Sequence, residues 1–87
     1  WKHVIFEMRS DVAYTNNKVY INTVLQTLSN ASENSSNRNF GSGTGQIAAA
    51  SGYNGKLYLG SFRVYNKALT TQEISNNYNY QKSRYGL

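Results

Sequence analysis

The chain contains no cysteine and no proline, only four acidic residues and a single histidine. Without cysteine, neither a disulfide framework nor a Cys-based zinc site can form. Without proline, its turns must come from Asn, Ser and Gly. The longest uninterrupted aliphatic run, Ile47-Ala48-Ala49-Ala50, is far too short to cross a bilayer as a helix. No stretch has the pattern of a signal peptide. The four acids, Glu7, Asp11, Glu33 and Glu73, are widely separated, so no pair of carboxylates shares a strand face. Glycoside hydrolysis needs two such groups flanking the bond. His3, the lone histidine, has no cysteine or serine partner in a nucleophile setting. It reads as a partly buried hydrogen-bonding residue.

What is there points to strands and loops. Tyr, Asn, Ser, Thr and Gly dominate the 87 residues. Tyr and Thr favour strands, and Asn, Ser and Gly favour turns. The length sets a limit of one domain with a thin core, since so short a chain buries only about 60% of its unfolded surface. The net charge is +5, with Lys and Arg spread along the chain. Nucleic-acid recognition would concentrate that charge on one face. Only Lys82 and Arg84 lie close together, so no nucleic-acid partner is expected. Weak attraction to anionic glycans or cell surfaces fits the charge at least as well.

Lys2 to Arg9 alternates as a strand, with Val4, Phe6 and Met8 on one face. Ser10 to Asn17 is a loop. Lys18 to Leu25 is a second strand, pairing with the first as an antiparallel hairpin. Leu28 to Gly45 is a long polar loop with Phe40 as its aromatic anchor. Two glycosylation-type triplets fall in it, at Asn30 and Asn34, in a stretch where chance matches are common. Gly41 to Gly45 lacks the lysine and helix start of a phosphate loop. Gln46 to Ala50 predicts a short strand, and Ser51 to Gly55 a turn.

Leu57 to Tyr65 predicts a third long strand, with Tyr58, Gly60, Phe62 and Val64 facing the core. Gly60 inside it predicts a bulge or a close approach. Thr70 and Glu73 have capping-box spacing, and Leu69 with Ile74 forms the matching hydrophobic staple. A short helix is expected from about Thr71 to Tyr78, covering the end of the fold with Ile74 and Tyr78. A tail from Asn79 to Leu87 then packs back through Tyr80 and Tyr85.

Trp1-Lys2-His3-Val4, Val19-Tyr20-Ile21-Asn22 and Arg63-Val64-Tyr65-Asn66-Lys67-Ala68-Leu69 with Glu73-Ile74 occur in that order. Together they resemble the C-terminal half of laminin-G-like, concanavalin A-type lectin-glucanase domains. The ending Tyr78 to Leu87 is similar to that of such domains in bacteriophage and other viral structural proteins. The resemblance implies an all-β fold: an antiparallel jelly-roll β-sandwich, here in part, with one short C-terminal helix. Residues 1–87 would be the C-terminal half of a single domain in a longer chain, ending naturally at Leu87. Half a jelly roll leaves one sheet face bare and needs the remaining strands or a neighbouring subunit. The pattern departs at Thr23, which stands where the family has glycine, so a shifted or widened turn is expected there.

The resemblance implies a non-enzymatic carbohydrate-binding-like or adhesion module of a virion structural protein, on a virion or extracellular surface. No cofactor and no metal are expected, because Asp11 with Asn16 and Asn17 offers one carboxylate only. The expected ligand-binding residues are Tyr14, Asn16 and Asn17 in the hairpin loop, with Tyr53 and Asn54 before Gly55. Rings there would stack on sugars and amides would meet hydroxyls. Expected partners are a glycan or cell-surface ligand and neighbouring subunits of a homo-oligomeric assembly. Two alternatives stand beside this reading. One is a purely architectural subunit-contact module. The other is a glycoside hydrolase whose active site lies in the missing half.

Overall fold

The computed structural model describes residues 1–8, 16–29, 47, 49–50 and 52–87. Among these residues, five short strands and one helix follow in order: β1 Val4–Glu7, β2 Lys18–Ile21, β3 Val24–Leu25, β4 Ala49–Ala50, β5 Tyr53–Asn54 and α1 Thr71–Tyr85. The first three form an antiparallel sheet in the order β1-β2-β3, and β4 pairs antiparallel with β5. The predicted hairpin is present, with Val4 opposite Ile21, Ile5 opposite Tyr20, Phe6 opposite Val19 and Glu7 opposite Lys18.

The second predicted strand is divided. Asn22 and Thr23 turn the chain between β2 and β3, both at positive φ (48° and 74°). Ile21 pairs with Val24, so the turn holds two residues and is neither shifted nor widened. Two consecutive positive φ values match the twist of a tight hairpin. Thr23 keeps that geometry although a β-branched residue is strained there. Asn22 also binds the start of β1. Its backbone N–H donates to the His3 carbonyl at 2.8 Å, and its Oδ1 accepts the His3 N–H at 2.9 Å.

Side chains on a strand alternate between faces. Ile5, Glu7 and Tyr20 share the better-covered face, where Tyr20 is buried. The opposite face carries Val4, Phe6, Val19, Ile21 and Val24, all apolar, and Phe6 is 66% exposed and Val24 61%. The open face is therefore wholly apolar, while the covered face mixes apolar Ile5, Tyr20 and Leu25 with the cross-strand charges Glu7 and Lys18. Among the described residues, only Tyr20 and Ile74 are buried apolar side chains.

The third predicted strand does not form. Residues 57–65 carry no ladder pairing, and Tyr58, Phe62 and Val64 are exposed rather than core-facing. Alternation alone makes a strand possible; a ladder partner makes it real. At Gly60 the expected close approach is present, and the neighbour is the ring of Tyr85.

The helix is nearly twice as long as expected. Thr70 caps it, accepting the Glu73 N–H at 3.2 Å, and the Glu73 carboxylate accepts from Thr70 in return. It then runs past Tyr78 to Tyr85 and stops at Gly86, which is left-handed at φ 65°. The N–H groups of Gly86 and Leu87 both donate to the Lys82 carbonyl, closing the last turn. Lys82 and Arg84 lie in that turn, where the helix dipole favours cations. Of the two tyrosines expected to pack back, Tyr85 does so; Tyr80 is 76% exposed.

Candidate functional site

Ile74, Tyr78, Gln81 and Tyr85 recur at intervals of four, three and four residues, a single stripe along α1. Ile74 and Gln81 on that stripe are buried. The stripe docks on the lead-in to β1. The Tyr78 ring meets His3 edge-on at 5.9 Å between centroids, and the Tyr85 ring meets Trp1 at 5.2 Å. Residues 1–3 thus run antiparallel to the second half of the helix.

The 57–65 segment joins the same junction. Tyr85 lies against Gly60, and the Tyr65 hydroxyl accepts from Asn77 Nδ2 at 3.3 Å. The charge of Arg63 reaches His3: burial first, and then this guanidinium, hold the imidazole pKa below its ordinary value of 6.5. The Arg84 guanidinium lies 5.5 Å from the Tyr85 ring centroid. At the head of α1, the Lys67 ammonium is 3.1 Å from Glu73 Oε2, and this pairing keeps the Glu73 carboxyl below its ordinary range.

The residues expected to contact a ligand divide between two places. Tyr14 lies outside the described residues. Asn16 is exposed and Asn17 half-buried, directly before β2 of the three-stranded sheet. Tyr53 and Asn54 form β5 of the separate two-stranded sheet, opposite Ala50 and Ala49. They were expected in a turn, but the turn lies earlier, with Gly52 at φ 86°. Asn54 is exposed. A shallow open depression begins at the following residue, lined by Gly55, Lys56, Leu57, Tyr58, Leu59 and Ile47. The glycosylation-type triplets at Asn30 and Asn34, the Phe40 anchor and the Gly41 to Gly45 stretch lie outside the described residues.

The three-way junction of His3, Arg63 and Tyr78 was not foreseen from sequence. Its signal was the helical stripe itself. Read onward from Ile74, the stripe leads to Tyr78, Gln81 and Tyr85 and then to Gly86, a helix stop. A helix of that length must lie along something, and the aromatic lead-in Trp1-Lys2-His3 is what it meets.

Comparison with known proteins finds no matching family model, no similar curated protein and no similar solved structure. Among the described residues, no helix is long and apolar enough to cross a membrane.

Proposed function

We propose that this chain is a non-enzymatic recognition module: part of a laminin-G-like, concanavalin A-type jelly roll that binds glycan or cell-surface ligands on a virion or extracellular surface. One observation carries the reading. One face of the three-stranded sheet is wholly apolar, and its Val4, Phe6 and Val24 are exposed. In a sandwich the apolar faces of two sheets pack together, so an exposed apolar sheet face supports a second sheet lying on it. Residues 57–65 support the same reading, since they alternate like a strand and carry no ladder pairing among the described residues. In the proposed fold a second sheet covers the open face, and 57–65 joins a ladder. The fold and the motif resemblance together suggest glycan recognition. Asn16 and Asn17, Tyr14 shortly before them in the sequence, and Tyr53 with Asn54 at the edge of the depression are the proposed contacts.

The test is a glycan array probed with the intact native polypeptide, followed by calorimetric titration of any hit. Saturable binding that weakens at least tenfold in Tyr53→Ala or Asn16→Ala supports the proposal. No binding by the native polypeptide rejects glycan recognition.

A second reading rests on the same open face: a module that only holds subunits together. It predicts that Phe6→Lys and Val24→Lys dissociate a native assembly. Under the glycan reading, with the second sheet supplied by the same polypeptide, these changes unfold the domain instead. Sedimentation velocity with circular dichroism separates the two outcomes.

A further inference from the structure

The only histidine stands where three parts of the fold meet. Its backbone is held from both sides by Asn22. Its ring is edge-on to Tyr78 of α1. Its Nδ1 is buried and has no hydrogen-bond partner among the described residues. On the same helix stripe, Gln81 Oε1 is also buried without a partner among the described residues. The seam between the β1 lead-in and α1 is thus built around a neutral imidazole.

We propose that His3 is a pH-sensitive joint, and that protonating its ring in acid loosens α1 from the lead-in to β1. A neutral ring leaves one nitrogen unpaired at modest cost. An imidazolium would place a charged N–H in the same spot with no acceptor on it, and a buried charge without a partner is far more costly. Among the described residues, the groups around it add no compensation. The 57–65 segment contributes Arg63, a like charge. The helix contributes the Tyr78 ring, the hairpin turn contributes Asn22, and the neighbour in the lead-in is Lys2. None of these is a carboxylate. Glu7 is four positions along the strand, about 13 Å away, and Glu73 is engaged by Lys67.

Burial and Arg63 act in the same direction, lowering the pKa of the folded state below 6.5. A group depressed in this way favours the docked state fully above pH 6.5, and that contribution is lost as pH falls through the lower folded value. Docked at neutral pH and loosened in mild acid is therefore the expected behaviour.

The experiment is NMR titration of the His3 ring in the intact native polypeptide, assigned by difference with His3→Phe. Protection factors of the 74–85 amides are measured alongside, between pH 7.5 and 5. The expected result is a His3 pKa below 6.5, a fall in protection of about tenfold or more, and a His3→Phe variant whose protection stays flat across the range. Arg63→Gln, a change at an exposed position, should raise the His3 pKa, and it serves as the second test if His3→Phe fails to fold. A His3 pKa at or above 6.5 overturns the proposal and points to Gln81 Oε1 as an acceptor for the protonated ring. Protection lost equally in His3→Phe, or a titration indifferent to Arg63, overturns it as well.

Discussion

The ring of Tyr85 fills the space in which a side chain on residue 60 would begin: a β-carbon on Gly60 would stand 2.6 Å from Tyr85 Cε1 and 2.9 Å from its Cζ. Gly60→Ala must therefore push the ring aside. The ring is the movable end of a side chain, so the backbone need not shift, but its contact with Trp1 is disturbed. The expected cost is about 1 kcal/mol, at the low end for overpacking. Urea unfolding of the pair measures it. A change in Trp1 fluorescence should accompany it.

Thr23→Gly should stabilise the protein. Thr23 sits at φ 74°, where a β-branched residue is strained and glycine is not. Left-handed geometry costs an L-residue about 1–2 kcal/mol, and glycine's greater unfolded-state entropy offsets part of the gain. A net gain of about 1 kcal/mol is expected, read as a higher denaturant midpoint with an unchanged slope. A destabilised variant would mean that the Thr23 side chain makes a contact worth more than its strain.

The start of α1 should be sensitive to acid. The hydrogen bond from Lys67, the Lys67 charge and the bonds from Thr70 together depress the Glu73 carboxyl below 4.5. Its contribution is complete above pH 4.5 and disappears as pH falls through the lower folded value. Circular dichroism followed through this range should show a loss of helicity in the wild type that Glu73→Gln lacks. Thr70→Ala, which removes the cap itself, should cost about 1 kcal/mol at neutral pH.

Ile74 is 2% exposed and Tyr80 is 76% exposed, on the same helix. Ile74→Ala should cost about 2–4 kcal/mol. Tyr80→Ala should change stability by about 0.5 kcal/mol or less. Chemical denaturation of both variants checks the contrast. Equal losses would show that Tyr80 is covered in the native molecule.

Local chemistry was legible in the sequence where it depends on neighbours along the chain. The Thr70–Glu73 box formed as its spacing implied, and the β1–β2 hairpin formed where alternation placed it. The close approach at Gly60 was legible too, though not that a ring would make it. Readings that needed a distant partner went astray. Leu57 to Tyr65 has the alternation of a strand, but alternation does not supply the neighbour whose backbone completes a ladder. The helix was read too short because polar Asn77, Asn79 and Gln81 masked the stripe, and buried Gln81 takes an inward place normally held by an apolar residue. Thr23 was read as widening a turn that two-residue pairing instead holds tight. Of the candidate contacts, Tyr53 and Asn54 were placed in a turn because Gly and Asn surround them, although the Ala49–Asn54 and Ala50–Tyr53 pairs make them strand.

The apolar open face of the three-stranded sheet also bears on how such a molecule is made. A layer of this kind is sticky from the moment its hairpin closes, and a hairpin closes within about 1–10 μs. In the proposed sandwich, coverage of Phe6 and Val24 comes later and from farther away, so an interval exists in which any similar surface nearby is a competitor. The yield of properly formed molecules then depends on how quickly that interval ends, and much less on how deep the final energy well is. Slower synthesis, lower temperature or dilution should each recover more native material than any substitution that merely strengthens the helix.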